Sequence, residues 1–360
     1  MKPGFRFSGT FLRKVFLSAA SATIIIAGCS KDPLITDDGK VAADIAFRIP
    51  QGWPAPNYQF EGNTLTADGF ELGRKLFFDQ RLSIDNSTSC GSCHQPFSSF
   101  AQLDHPVSHG INNLLGTRNS PALFNLNWHK NYFWDGGVVH IELQPINPIQ
   151  NPVEMGDSIR NVVAKVAADA DYRQCFLKAF GTDEVNSQRI FKALSQFMGM
   201  LVSSNSKYDH YVRHEAGGEM NASELNGLQL YRAHCATCHT EPLFSDYSFR
   251  NNGLTPSAVY KDSGRMHITG DPADMYKFKM PSLRNLKYTR PYMHDGRFNT
   301  LTQVLDHYAT GIDHSLATLD PALQANIVLT AQERTDLLNF FNTLNDETFV
   351  KDPRFQEVKQ

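Results

Sequence analysis

Apolar residues along this chain recur mostly at helical spacing, with little strict alternation. In the segment 67–78, Phe70, Leu72, Leu76 and Phe77 fall near a 3.6-residue period and predict a helix. The segment 223–231 carries Leu225, Leu228 and Tyr231 at intervals of three, with Asn221 or Ser223 as its N-cap. Further helices are predicted over 158–170, 187–202, 301–309 and 330–344. The last opens on a capping box of Thr330 and Glu333 before the stripe Leu337, Leu338, Phe340, Phe341 and Leu344. No alternating run of useful length competes, so the fold class is mainly α. Polar residues and Gly217–Gly218 interrupt the helical pattern at 203–218, which places a domain junction there.

The first residues follow a different rule. Lys2, Arg6, Arg13 and Lys14 precede an apolar run from Val15 to Ala27, closed by Gly28 and Cys29. That run is shorter than the ~20 residues of a spanning helix. A charged start, an apolar middle and a small-residue site before cysteine describe an export signal over 1–28, with Cys29 as the lipidated mature N-terminus. The alternative is an ordinary cleaved signal that happens to contain a cysteine. Residues 30–40 are polar and unpatterned, and a tether is expected over 29–60. The expected location is the periplasm, attached to a membrane by the lipid only.

Composition narrows the class without identifying it. With 41% hydrophobic and 20% charged residues the chain is an ordinary globular protein, and a net charge of -3 leaves no broad basic surface for nucleic acid.

Of the six cysteines, four form two C-x-x-C-H motifs, Cys90-Gly91-Ser92-Cys93-His94 and Cys235-Ala236-Thr237-Cys238-His239. In this motif two thioethers fix a porphyrin and the adjacent imidazole reaches its iron from the same turn, which makes spacing and order rigid. Zinc binding or thiol redox chemistry does not require the trailing histidine. Two covalent heme c groups follow, with His94 and His239 as axial ligands. Cys175 is left over and reads as a buried or half-buried free thiol. The helices before the two motifs share a Gly-x-x-Leu step, Gly73 to Leu76 and Gly227 to Leu230, which points to internal duplication. A glycine there lets another helix or the porphyrin approach, or simply packs in a core.

Five further segments carry a resemblance over nearly the whole mature chain. They are Arg118-Asn119-Ser120-Pro121, Phe133-Trp134-Asp135-Gly136, Asn151-Pro152-Val153-Glu154-Met155, Pro281-Ser282-Leu283-Arg284-Asn285 and Pro291-Tyr292-Met293-His294-Asp295-Gly296. In this order, around two heme motifs, the chain resembles the bacterial diheme cytochrome c peroxidase and MauG family. The resemblance implies two cytochrome c-like heme domains with long heme-covering loops, a peroxidatic one over 61–205 and an electron-transfer one over 206–360. It implies reduction of hydrogen peroxide to water, with electrons passing from the C-terminal to the N-terminal heme. It assigns Glu154 as the acid/base of peroxide cleavage and Trp134 as the relay between hemes. It also assigns Asn119, Thr289 and Pro291 to an interdomain calcium, through one side-chain oxygen and two carbonyls. Gln144 and Pro148 lie just upstream of Glu154, where they could line the same pocket.

Two positions depart from the better-known peroxidases of that family. Where many of them close the resting peroxidatic heme with a histidine, the ungapped count gives Ile111, which cannot bind iron; His109 lies two residues earlier. An iron open without reductive activation is the reading favoured here. Where they carry a methionine on the far side of the C-terminal heme, the count gives Tyr308, as in MauG-like members, with His307, Met293 and Met280 as alternatives. A phenolate ligand favours higher oxidation states.

Two other functions stay open: a MauG-like enzyme that uses peroxide to oxidise residues of a partner protein, and a plain diheme electron carrier. The partner is accordingly a small cytochrome c or cupredoxin donor, or a protein substrate. A homodimer is compatible with either.

Overall fold

The computed structural model describes residues 45–358. The expected signal, Cys29 and the first part of the tether lie outside these residues. Helices dominate, as expected, and strand structure among the described residues is one antiparallel pair, Phe249–Arg250 with Phe278–Lys279.

Two helix crossings of similar construction organise the two apolar cores. The helix Ala67–Phe78 starts at Thr66, whose side chain accepts from the Gly69 N–H, and it crosses the helix Ser187–Gly199. A Cβ on Gly73 would stand 2.0 Å from the Ala193 carbonyl oxygen and 3.0 Å from Phe197 Cβ. In the second half the helix Ala222–His234 crosses Ala331–Thr343, and a Cβ on Gly227 would stand 2.0 Å from the Asp336 carbonyl oxygen and 2.7 Å from Phe340 Cβ. Of the readings open for the Gly-x-x-Leu step, close helix approach is the one realised. Phe70, Phe77, Phe100 and Phe197 are buried around the first crossing, and Tyr208, Tyr231, Phe244 and Phe340 around the second. Their rings meet edge-on or tilted, a geometry that contributes about 0.5–1.5 kcal/mol per pair beyond area burial.

The first core also draws on both ends of the described chain. Tyr58 and Phe60 are buried in it and Phe47 packs against it, so residues 45–60 belong to the folded body and the tether expected over 29–60 does not extend through them. Phe349, Val350 and Phe355 return from the other end to the same core.

Several helices begin where their capping chemistry puts them. Asn221 and Glu224 form a capping box, as do Thr330 and Glu333. The stretch expected as one helix over 158–170 is two, Ile159–Ala168 and Ala170–Phe180. Asp169 divides them: its carboxylate accepts from the N–H groups of Asp171 and Tyr172 at 2.8 and 3.3 Å and so starts the second. The polar stretch 203–218 contains a short helix, Lys207–Val212, opened by a Ser206–Asp209 capping box. The helix expected over 301–309 is α-helical for Leu301–Asp306 and then widens to a π turn, His307–Gly311.

Duplication extends beyond the helices into the loops. Asn125 and Asn285 both take a positive φ, 56° and 62°. At equal distance after them, the N–H groups of Tyr132 and Tyr292 donate to Val138 and Phe298 at 2.7 Å each. Their phenols reach back to the Leu126 and Leu286 carbonyls at 3.3 and 2.8 Å. In this register His294 is the counterpart of Trp134. No helix among the described residues is long and apolar enough to cross a membrane.

Candidate heme-binding site

A cavity of about 1090 Å³ takes both C-x-x-C-H motifs into its wall. Cys93, His94, Cys235, Cys238 and His239 line it, together with Trp134, Glu154, Tyr308, Asn119, Thr289 and Pro291. Residues far apart in sequence are thus brought to one space. Cys90 lies behind Cys93 on the same helical turn, packed against the first core.

That turn, Cys90–Cys93, is held at its start by Ser89, whose N–H donates to Ser92 Oγ at 3.0 Å. It delivers His94 with Nδ1 2.9 Å from the Phe100 carbonyl oxygen. A carbonyl can only accept, so Nδ1 carries the proton and Nε2 keeps its lone pair. His239 repeats the arrangement, with Nδ1 3.0 Å from the Pro281 carbonyl oxygen and 3.3 Å from that of Phe244. Burial keeps both rings neutral, pulling His94 down to about 4 and lowering His239 as well. None of the four motif thiols is in a disulfide among the described residues. Paired thiols and a neutral, oriented imidazole on one turn, twice over in one cavity, fit covalent heme.

Glu154 lies in the wall near the first motif. Burial raises its carboxyl above the ordinary value, and a hydrogen bond from Asn151 Nδ2 to Oε1 at 2.9 Å opposes the rise. Oε1 is committed to Asn151, which leaves Oε2 for proton exchange. The segment around it is fixed from behind: Ile111 N–H donates to the Glu154 carbonyl at 2.8 Å. A Cβ on Gly110 would come within 2.2 Å of the Val153 carbonyl oxygen, so only glycine allows the two loops to touch. Gln144, Asn147 and Pro148 line the same cavity.

Neither residue weighed as a sixth ligand on this side is part of the wall. Ile111 is buried against Gly156. His109 packs its ring edge-on to His105 at 4.5 Å, while its carbonyl accepts from the Cys93 thiol at 3.4 Å.

On the other side Tyr308 sits in the π turn, a distortion that often occurs at functional sites. It lines the cavity, and burial pushes its phenol up to about 12, with Asn252 drawing it back and Cys235 and Cys238 close enough to add to the rise. His307 is outside the wall, its Nε2 3.0 Å from the Asn252 carbonyl oxygen. Met293 and Met280 do line the cavity. Asn252 Nδ2 lies 3.5 Å from the Met293 sulfur.

Trp134 donates from Nε1 to the Asn119 carbonyl at 2.8 Å. The Asn119 amide donates to the His105 and Pro106 carbonyls at 3.2 Å each, so Oδ1 is the atom left for a cation. Asn119 N–H donates to the His294 carbonyl at 2.7 Å, and Arg118 forks onto Asp262 at 2.5 and 2.8 Å. These bonds join the two halves beside the cavity.

Lys279, His129 and Tyr247 also line the cavity, and sequence reasoning singled out none of them. Each is solitary in the sequence. The one signal available was the loop duplication, whose stretches 121–136 and 281–296 take in His129 but neither Lys279 nor Tyr247.

Comparison with known proteins agrees with this geometry. The family model for di-haem cytochrome c peroxidase matches residues 67–217. The methylamine utilization protein MauG of Methylorubrum extorquens is 34% identical over 335 residues, covering 89% of this chain and 91% of the relative. The cytochrome c551 peroxidase of Nitrosomonas europaea is 37% identical over 244 residues, 67% of this chain and 72% of the relative. The crystal structure of a MauG-like protein associated with microbial copper homeostasis superposes with a TM-score of 0.79 at 35% identity, over 87% of this chain and 99% of that one. With two heme-attachment turns opening on one cavity and relatives matched over most of their length, this chain belongs to the diheme cytochrome c peroxidase and MauG family.

Proposed function

We propose that this protein is a diheme c-type peroxidase that reduces hydrogen peroxide to water. The observation that carries the reading is Glu154: a half-buried carboxyl beside the first heme turn, in a cavity whose wall includes neither His109 nor Ile111. When bound there, heme supplies an iron that takes up peroxide and exchanges electrons. The protein's share is proton movement and orientation. Glu154 takes the proton from one peroxide oxygen and returns it to the other, so that the departing oxygen leaves as water. Asn151 holds the carboxylate in place for both transfers. His94 and His239, each with Nδ1 committed to a backbone carbonyl, would hold the two heme irons through Nε2.

Electrons come from a small cytochrome c or cupredoxin, enter at the C-terminal heme and cross by way of Trp134. Residues 61–205 and 206–360 act as the peroxidatic and electron-transfer domains. Asn119, Thr289 and Pro291 hold Ca2+ between them, a role supported by their common wall and the uncommitted Asn119 Oδ1. The enzyme works in the periplasm, tethered through a lipid on Cys29.

One observation favours the MauG-like alternative, in which peroxide is used to oxidise residues of a partner protein: Tyr308 lies in the wall beside Cys235 and Cys238. A phenolate there would stabilise the oxidised states that such chemistry draws on. Peroxide turnover by the two-heme protein and its Glu154→Gln variant tests the main reading. Turnover should fall by about 10²–10⁴-fold while heme content and spectra persist. Unchanged turnover removes Glu154 from the mechanism.

A further inference from the structure

Lys279 is a buried cation in the cavity wall with no carboxylate partner among the described residues. It is 8% exposed, and burial pushes its ammonium down to about 7 against the pull of Asp135. Asp135 itself is committed to Arg118 at 2.5 Å. Nζ lies 3.2 Å from His129 Nδ1 and donates to the Asn131 carbonyl at 3.0 Å. Both of these partners are neutral. His129 is held uncharged by burial and by the lysine beside it.

Tyr247 brings a second unused donor to the same wall. Its hydroxyl is buried without a hydrogen-bond partner among the described residues, and its ring lies 4.0 Å from that of His129. An unpaired ammonium and an unsatisfied hydroxyl are each costly when buried. Both line a cavity that, on the two-heme reading this inference rests on, is filled by groups whose ionisable substituents are propionate carboxylates.

We infer that the Lys279 ammonium and the Tyr247 hydroxyl bind a propionate carboxylate of the heme attached at Cys235 and Cys238, with His129 holding the lysine in place. The local framework selects that heme. Lys279 lies just before Pro281, whose carbonyl orients His239. Tyr247 follows His239 on a loop pinned by Ser245, whose Oγ accepts from the Tyr247 N–H at 2.9 Å and donates to the Met280 carbonyl at 2.7 Å. The Lys279 N–H also donates to the Trp134 carbonyl at 2.7 Å. The charge at the carboxylate is therefore tied to the tryptophan of the proposed inter-heme path.

The test uses the full two-heme protein with Lys279→Gln, Lys279→Arg and Tyr247→Phe. Each is read by heme content, by the potential of each heme, and by the propionate bands in infrared and resonance Raman spectra. Removing a cation favours the ferric state, so Lys279→Gln should lower the potential of the C-terminal heme. A tenfold shift in that one-electron equilibrium is about 59 mV. The N-terminal potential should stay in place, Lys279→Arg should recover most of the loss, and Tyr247→Phe should shift a propionate band of the same heme. Unaltered potentials and bands in Lys279→Gln and Tyr247→Phe overturn the inference. So does an equal change in Lys279→Arg, which would mean packing. If Lys279→Gln does not load its second heme, the Tyr247→Phe band decides. A parent protein carrying fewer than two hemes is a separate failure, of the two-heme reading, and the heme assay identifies it directly.

Discussion

Glu154 is a residue where stability and activity pull in opposite directions. Its folded pKa is raised by burial, so on raising the pH the unfolded chain loses its proton first. The native state is therefore disfavoured progressively from the unfolded pKa up to the folded one, and the penalty is absent at lower pH. Glutamine carries no such penalty. Glu154→Gln should raise the Tm at about pH 7 but not at about pH 4, while abolishing most turnover. A lower Tm at both pH values would mean that the Asn151 hydrogen bond outweighs desolvation. In the parent enzyme, the acid limb of the pH–rate profile should lie above the ordinary carboxylate range and vanish in the variant.

Tyr308 is open to a parallel argument. A phenol pushed up to about 12 stays protonated in the heme-free cavity, and only a cation can draw the proton off. Tyr308→Met exchanges a hard oxygen for a thioether and should raise the potential of the C-terminal heme. An unchanged potential, measured by spectroelectrochemical titration, would show that Tyr308 is not the ligand. The sequence pointed to Glu154 through its place in the segment Asn151-Pro152-Val153-Glu154-Met155 and to Tyr308 through its distance from His294, both by family resemblance. It singled out none of Lys279, His129 and Tyr247, because their meaning comes from meeting across the fold.

Among the elements, the two helix crossings carry the clearest prediction. Ala at Gly73 or Gly227 would drive a methyl group into the backbone of the partner helix, where no side chain can turn aside. Each should cost about 1–3 kcal/mol, as overpacking does, and the two costs should be similar because the contacts are. Thermal denaturation of the heme-loaded variants measures this, and a neutral Gly227→Ala would contradict the described crossing. Capping chemistry made helix starts at Asn221 and Thr330 readable in advance. The break at Asp169 was not read, because the following helix hides its buried side in Tyr172 and Phe176 among charged neighbours. The π turn at 307–311 was equally invisible, since nothing in the residue types distinguishes it from a continuing α-helix.

At the scale of the whole molecule, segments that mark the family serve as structural anchors, some within one half and, through Asn285, some between the two. Arg284 is fully buried and forks onto Asp209 at 2.7 and 2.8 Å. Losing one partner of such a pair strands a buried charge. Asn285 Nδ2 donates to Ser99 and Ser203 Oγ at 2.9 Å each, and its Oδ1 accepts from the Asp346 N–H at 2.8 Å. Its counterpart Asn125 accepts from the Ser203 N–H at 2.9 Å. Sequence motifs alone could not separate these anchoring duties from chemistry, since a short polar segment serves either.

The proposed function requires two hemes in one cavity that differ in what stands opposite the motif histidine: Glu154 without a second histidine at the first, Tyr308 at the second. Electron paramagnetic resonance and optical spectra of the oxidised protein, before and after hydrogen peroxide and without prior reduction, test it most directly. One high-spin heme that reacts at once with peroxide and one six-coordinate, low-spin heme are expected. A wholly low-spin protein, inert to peroxide until half-reduced, would contradict this and bring His109 or another loop residue onto the first iron.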